Sequence, residues 1–195
     1  MVSASELTHH RDSLNSEPPA PGTAGVPPAS SHLDPRPSTP FFRTEERIAH
    51  LLFTAELWRG TPWCANSDAR GPRGGVSCHN LPRAIYLECG ALRESFPKIA
   101  GDPNASRHAR ESAMEKYIDS RQEFLRLPTS DLRHLEAGDL LGLRIYNVCD
   151  HLGLYLGNGV FVHVLMHKNT DFDMVHVPPW QQRIVAAWRP LDLPL

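Results

Sequence analysis

The feature that most constrains the fold is a pair of apolar-rich runs on either side of a Gly-Asn-Gly turn. The runs cover residues 151–156 and 160–165, and the turn is Gly157 to Gly159. Large apolar side chains alternate with other residues in the first run, and alternation at a period of two is typical of a half-buried strand. The segment therefore predicts an antiparallel β-hairpin in the last third of the chain.

The length of the turn decides whether the two histidines of this hairpin, His151 and His163, share a face of the sheet. A two-residue turn at Asn158-Gly159 places Leu154 opposite His163, and the histidines then face opposite sides. A three-residue turn places Gly153 opposite His163, so the histidines become diagonal neighbours about 7–8 Å apart at the backbone. A site built from both histidines requires the longer turn, with the small Gly153 leaving room between them.

The order of the predicted elements gives the fold class. A first helix is predicted between the capping residue Thr44 and Gly60, where apolar residues recur at helical spacing. Further helices are predicted from Cys78 to about Glu94 and at 105–127. Strands are predicted at 139–145, 151–156, 160–165, 174–177 and 184–188. Helices followed by an antiparallel sheet of about five strands predict an α+β fold.

The first 40 residues differ in composition from the rest of the chain. They hold eight of the 18 prolines, together with many serine, threonine, alanine and glycine residues. Few large apolar side chains are present to offset the entropy lost on ordering, so we expect residues 1–40 to be a disordered tail. Residues 41–195 are then predicted to form one folded domain, which is large enough to bury a core.

Composition excludes several classes of partner and location. The 195-residue chain has a net charge of −2, whereas nucleic-acid binding needs clustered positive charge. No run of about 20 apolar residues predicts a membrane span. The N-terminus has neither a basic start nor an apolar stretch, so we expect the chain to be cytoplasmic as synthesised and its four cysteines to be reduced.

A second informative segment is the Gly-rich stretch Gly74 to Leu81, which places Cys78 where a loop enters the second predicted helix. The positive end of a helix lowers the pKa of a thiol, and a neighbouring histidine lowers it further by forming an ion pair. A thiolate, a base and a polar orienting group are the parts of a cysteine hydrolase. Cysteine is otherwise a small buried apolar residue, which is what we expect of Cys64, Cys89 and Cys149.

Together with several other motifs, these segments resemble the NlpC-type cell-wall peptidases, a papain-like family, and especially their phage-tail-associated branch. The resemblance spans roughly residues 43–190, and the matching pieces occur in the family's order. They are Gly60–Trp63, Gly75–Cys78 with Leu81, Gly90, Ala137–Leu140, Asp150–Gly159, Val162 with His163, and Trp180 with Arg183 and Arg189. The resemblance implies a papain-like domain over residues 41–195, with N-terminal helices packed on the C-terminal sheet.

The resemblance also implies roles for particular residues. Cys78 corresponds to the nucleophile, His151 to the general base and His163 to the residue that orients the base. The family usually has aspartate before the cysteine and a residue followed by glycine after it. Here Ser77 precedes the cysteine and His79 follows it, so substrate preference is the property most affected.

Residues that contact the substrate or its oxyanion are expected beside the nucleophile. The family often has a tyrosine near the oxyanion pocket, and Trp63, with its indole N–H, is the candidate here. Ser77 and His79, on either side of the cysteine, are the other two candidates. The resemblance implies no metal and no other cofactor.

The reaction that the resemblance implies is hydrolysis of an amide bond in peptidoglycan stem peptides, through an acyl-thioester intermediate. The implied bond joins γ-D-glutamate to a diamino acid, and the implied partner is peptidoglycan or a muropeptide. A phage particle or a secretion partner is one route from the cytoplasm to the wall, and a muropeptide inside the cell is the other kind of substrate that fits.

Three alternatives stay open at this point. The altered neighbours of the nucleophile are compatible with a thioesterase or an acyltransferase on the same scaffold. The second alternative is a binding or assembly module that has the fold but no catalytic activity. A zinc site is the third, although the close pairing of cysteines typical of such sites is absent from its candidate ligands, which are Cys64, Cys78, His151 and His163.

Overall fold

The computed structural model describes residues 39–93 and 108–193. Its helices are α1 (Glu45–Trp58), α2 (Asn80–Glu88), α3 (Ala113–Asp119) and α4 (Trp180–Arg183). Its strands are β1 (Asp68–Ala69), β2 (Gly75–Val76), β3 (Phe124–Leu127), β4 (Leu140–Arg144), β5 (Cys149–Gly157), β6 (Val160–His163), β7 (Asp171–Met174) and β8 (Ile184–Pro190). The predicted disordered tail lies outside these ranges except for its last two residues.

The main sheet of the described part contains six strands in the spatial order β3-β8-β4-β5-β6-β7, and each neighbouring pair is antiparallel. Helix α2 packs against β5, and α3 packs against β3 and β5. The α+β class is therefore confirmed, with one strand more than the five or so predicted. Within the described ranges, no helix has the length and apolar character needed to cross a membrane.

The additional strand is β3, in a region predicted to be helical. Helix α3 covers only Ala113–Asp119, and Phe124 to Leu127 then pair with β8, so the prediction of one helix over 105–127 is wrong on both sides of α3. Residues 105–107 lie outside the described ranges. The unpaired backbone groups along the edge of β8 require partners, and β3 supplies them. The spacing of apolar residues within 105–127 does not depend on this long-range pairing, so it could not predict the strand.

Other element boundaries also differ from the prediction. Helix α2 begins at Asn80 and ends at Glu88, because Gly90 has a φ of 75° and the Ala91 N–H donates to the Tyr86 carbonyl, which closes the helix end. Strand β7 ends at Met174, where a strand over 174–177 had been predicted to begin. The short hairpin of β1 and β2 was not predicted.

The hairpin of β5 and β6 has the register that a shared histidine face requires. Gly153 lies opposite His163, as predicted for the longer turn. The turn itself contains only Asn158 and Gly159, both with positive φ, and the additional residue is a bulge between Tyr155 and Gly157. The expected space beside Gly153 is filled, since a Cβ there lies 2.7 Å from Cδ2 of the Phe161 ring.

A buried ion pair holds the start of β4 to β8. The Arg189 guanidinium donates two hydrogen bonds of 2.8 Å to the carboxylate of Asp139, whose side chain is 1% exposed. Gly138 precedes this aspartate with a φ of 94°, and its carbonyl accepts a hydrogen bond from the Tyr86 hydroxyl. The Gly-Asp pair and the distant arginine of the sequence motif therefore form one structural contact that joins α2, β4 and β8.

Candidate active site

Cys78 lies at the N-terminal entry to α2. The Ser77 carbonyl accepts a hydrogen bond from the Leu81 N–H at 2.9 Å, and the Ser77 hydroxyl accepts one from the Asn80 N–H at 3.3 Å. Ser77 therefore holds the turn that leads into α2, and Cys78 lies in this turn, two residues before the helix begins at Asn80. The thiol lies at the positive end of the helix dipole. Contact of Ser77 with substrate stays a prediction.

Trp63 is held next to the segment that carries the nucleophile. The Val76 N–H donates to the Pro62 carbonyl at 3.0 Å, and the Trp63 N–H donates to the Lys168 carbonyl at 2.8 Å. The half-buried indole lies with its centroid 5.7 Å from that of the His167 ring. The backbone thus fixes Trp63 between the loop after β6 and the strand that leads to Cys78, while its role at an oxyanion stays a prediction.

The structure brings the three predicted catalytic residues together. The Nε2 atom of His151 lies 2.9 Å from the Nδ1 atom of His163, and the two rings are nearly perpendicular. Both side chains are buried. The Cys78 thiol lies near the His151 ring, because the charge and hydrogen-bonding capacity of this imidazole help to lower the pKa of the thiol. The three side chains therefore follow one another from the entry to α2 across β5 to β6.

Asp173 extends this line, and sequence reasoning missed it. Its Oδ2 atom lies 3.0 Å from the Nε2 atom of His163. Asp173 belongs to β7, which pairs with β6 in a register that sets Asp171 opposite His163. The sequence signal for this strand was the alternation of Asp171, Phe172 and Asp173, which is compatible with a period of two. Aspartate is depleted in strands, so the segment did not stand out as one.

The surroundings of Cys78 stabilise its thiolate. Burial by itself raises the pKa of the thiol, because a charge is poorly solvated away from water. The nearby imidazoles of His79 and His151 act in the opposite direction through their positive charge and hydrogen bonds, and the net pKa is lowered to about 5. Cys78 is therefore a thiolate at neutral pH when these imidazoles carry a proton.

His79 is a second imidazole that interacts with Cys78. Its Nε2 atom lies 3.3 Å from the Asp150 carbonyl, which accepts a hydrogen bond from the ring. Burial by itself lowers the pKa of His79, but the Cys78 thiolate and the hydrogen bonds to Cys78 and Asp150 raise it overall. The two side chains thus favour each other's charged forms. The predicted contact of His79 with substrate stays a prediction.

The other three cysteines have different surroundings. Burial raises the pKa of Cys149, and the nearby carboxylates of Glu115 and Asp150 raise it further. Burial also raises the pKa of Cys89. Cys64 is exposed. In the described ranges, no three histidine, cysteine, aspartate or glutamate side chains are grouped so as to hold a metal ion.

Comparison with known proteins identifies one family. The model of the NlpC/P60 family matches residues 75–189, which is more than half of the 195-residue chain. The match includes the segment of Cys78 and the hairpin with both histidines. No curated protein matches the sequence.

Solved structures with a similar fold share little sequence with this chain. One is a lipoprotein-like protein of the NLP/P60 family from Staphylococcus aureus subsp. aureus Mu50, with a TM-score of 0.55 and 19% identity over 80% of this chain and 45% of that one. Another is an NlpC/P60 family protein from Bacillus cereus ATCC 10987, with a TM-score of 0.48 and 18% identity over 74% of this chain and 40% of that one. The peptidoglycan hydrolase RipB from Mycobacterium tuberculosis has a TM-score of 0.46 and 16% identity over 76% of this chain and 66% of that one. The chain spans less than half of the first two.

Proposed function

We propose, from the premise that this chain belongs to the NlpC/P60 family of cysteine peptidases, that it hydrolyses amide bonds in the stem peptides of peptidoglycan. The observation that carries the proposal is the contact of 2.9 Å between His151 Nε2 and His163 Nδ1, with His151 near the thiol of Cys78, whose pKa is lowered to about 5. A thiolate at a helix start with a histidine beside it is the arrangement that acyl transfer requires.

The first half of the reaction forms a thioester. The Cys78 thiolate attacks the carbonyl carbon of the scissile amide, and the carbonyl oxygen becomes negatively charged. His151, which holds the proton that the thiol has lost, donates it to the leaving nitrogen as the C–N bond breaks. His163 keeps the His151 ring in place during this transfer, because its Nδ1 atom is 2.9 Å from the His151 Nε2 atom. The amine leaves, and the acyl group stays on sulfur.

The second half releases the acid. A water molecule gives a proton to the now neutral His151 and attacks the thioester carbonyl. The C–S bond then breaks, and the sulfur leaves as the thiolate next to the imidazolium of His151. The starting ion pair is restored without any change in oxidation state, so the residues named here balance the whole cycle.

The transient negative oxygen needs hydrogen-bond donors. We propose the N–H of Cys78 as the first donor, because Cys78 lies in the turn that leads into α2 and the helix offers this N–H no carbonyl partner. The Trp63 indole N–H is the second donor that we propose, because the backbone holds this residue next to the strand leading to Cys78. Donors on backbone segments that are already fixed before substrate binds avoid reorganisation during the reaction.

The identity of the bond rests on the family resemblance. We propose cleavage between γ-D-glutamate and the diamino acid, with His79 close enough to the nucleophile to contact the substrate. A phage-tail or secretion partner that brings the enzyme to the wall is part of the same proposal, because the sequence motifs resemble the phage-tail-associated branch of the family.

Defined muropeptides and mass spectrometry test the proposal. We expect the protein to cleave a tripeptide or tetrapeptide muropeptide at the γ-D-glutamyl bond. The masses of the two fragments should then add up to the mass of the parent plus one water. Cys78→Ala removes this activity and keeps the melting temperature. Cys64→Ala, which changes an exposed cysteine outside the site, serves as the matched control and keeps full activity.

The other outcomes each point to a different function. A covalent adduct on Cys78 from a lipid or thioester library, without cleavage of any muropeptide, indicates a thioesterase or an acyltransferase. Retention of muropeptides by both the unchanged protein and Cys78→Ala, without turnover by either, indicates a binding module. Equal cleavage by the unchanged protein and Cys78→Ala contradicts the role given to the cysteine.

A further inference from the structure

The Asp173 carboxylate is partly exposed to solvent and contacts the buried His163. Its side chain is 46% exposed, whereas that of His163 is 4% exposed. The carboxylate reaches His163 diagonally, because Asp173 is paired with Phe161 across the two strands. Asp173 therefore contacts the site from β7, an edge strand that supplies none of the three predicted catalytic residues.

The ring of His163 is held in one orientation. The Phe161 ring lies 4.8 Å from it on one side, and the Trp180 ring contacts it edge-on at 4.6 Å. Both aromatic side chains are buried. Since the ring is confined by this packing, each of its two nitrogens has a fixed partner, which is His151 for Nδ1 and Asp173 for Nε2.

The number of protons decides which nitrogen donates. Burial, followed by the positive charge of His151, lowers the pKa of His163 to about 4, so at neutral pH its ring carries one proton. An ionised carboxylate only accepts hydrogen bonds. The Nε2–H of His163 therefore donates to Asp173, and the bare Nδ1 atom accepts from the Nε2–H of His151. The Nδ1 atom of His151 is then the nitrogen left to exchange a proton with Cys78.

We propose that Asp173 is a positioning residue of the active site, which fixes the tautomer of His163 and through it the tautomer and orientation of His151. The proposal rests on the proposed cysteine chemistry and adds a fourth member to the line of Cys78, His151 and His163. Without the carboxylate, the lone proton of His163 is free to move to Nδ1, where it faces the Nε2–H of His151 and opposes the productive arrangement.

The charged and titratable groups around the two histidines come from three elements. They are Cys78 and His79 at the start of α2, Asp150 on β5, and Asp171 and Asp173 on β7. Among the carboxylates, Asp173 is hydrogen-bonded to His163, whereas Asp171 accepts a hydrogen bond from the Phe172 N–H and lies near Arg59.

Two substitutions of Asp173 separate the effect of its hydrogen bond from that of its charge. A substitution of Asp171 is the control. Asp173→Ala removes both the hydrogen bond and the charge. Asp173→Asn removes the charge but keeps an amide oxygen that accepts from the Nε2–H of His163. Asp171→Asn removes the same charge from the same strand without touching the hydrogen bond, and it is expected to leave every readout unchanged.

The first readout needs no substrate. Long-range ¹H–¹⁵N spectra of the histidine side chains report which ring nitrogen carries the proton. We expect His163 to be protonated at Nε2 in the unchanged protein and in Asp173→Asn, and to become a mixture of tautomers in Asp173→Ala. A proton on Nδ1 of His163 in the unchanged protein overturns the proposal.

The second readout is the reactivity of Cys78 towards iodoacetamide between pH 4 and 9. We expect Asp173→Ala to lower the plateau rate about tenfold while the melting temperature stays within the range of the Asp171→Asn control, and Asp173→Asn to recover most of that rate. An unchanged plateau in Asp173→Ala overturns the proposal. Neither readout uses a muropeptide. Failure to cleave peptidoglycan therefore contradicts the proposed substrate, whereas the tautomer of His163 and the alkylation rate of Cys78 decide the role of Asp173.

Discussion

The Nε2 atom of His151 lies 2.9 Å from the Nδ1 atom of His163, although the two residues are 12 positions apart in sequence. The distance follows from the bulge between Tyr155 and Gly157, which sets Gly153 opposite His163. A hairpin without that extra residue turns the two imidazoles to opposite faces of the sheet. The proximity of the two histidines is thus a consequence of one irregularity in a strand.

Replacement of His163 tests this pair. His163→Ala removes the acceptor of the His151 Nε2–H, and we expect kcat on a muropeptide substrate to fall by about 100-fold or more with KM within about twofold. His163→Asn supplies an amide oxygen to accept the same bond and should recover part of the loss. Steady-state kinetics with a mass-spectrometric endpoint measure both, and an unchanged kcat in the alanine variant contradicts the orienting role.

The depressed pKa of Cys78 predicts selective alkylation. A lowered pKa means that the thiolate is present above about pH 5 and is lost as the pH falls through that value. An ordinary free thiol is less than about 1% thiolate at pH 6. Iodoacetamide at pH 6, followed by peptide mapping, should therefore modify Cys78 ahead of the exposed Cys64, with a half-maximal rate near pH 5. Equal labelling of the two cysteines contradicts the prediction.

His79 contributes to that low pKa, and its removal has a defined sign. Its positive charge and hydrogen bond oppose the effect of burial on Cys78. His79→Asn removes the charge, so the pKa of Cys78 rises and the acid limb of the alkylation profile moves to higher pH. The exposed His50→Asn on α1 is the matched control and keeps the original profile. A limb that stays in place in His79→Asn shows that His151 alone stabilises the thiolate.

Breaking the ion pair of Asp139 and Arg189 should lower the stability of the fold without changing the reactivity of Cys78. Asp139→Asn removes the charge of the buried carboxylate that accepts two hydrogen bonds from the Arg189 guanidinium, which keeps its second ion pair with the exposed Glu136. A hydrogen bond to a charged group typically contributes about 1.5–3 kcal/mol, so we expect a loss of stability of that size. The urea midpoint should fall accordingly, while the folded fraction keeps the alkylation profile of Cys78. Asp131→Asn disrupts the exposed contact with Arg133 and should leave the midpoint in place. A similar midpoint in both variants contradicts the structural role of the buried pair.

Local sequence patterns predicted the elements whose signals lie within a few residues. The cap at Thr44 accepts a hydrogen bond from the Arg47 N–H, and the first helix ends before Gly60, as the sequence indicates. The helix entry at Cys78 and the hairpin of the two histidines were also predicted. In each case a cap, an apolar period or a turn residue is contained in the element that it specifies.

Long-range contacts decided the rest. The sequence determined the nucleophile segment, the two histidines and the α+β class, because caps, periods and turn residues act over a few positions. Tertiary structure decided that Phe124 to Leu127 form a strand, since the edge of β8 requires a backbone partner. It also decided that Asp173 meets His163, because that contact depends on the register of two strands joined by a loop, and no local pattern encodes a register across such a loop.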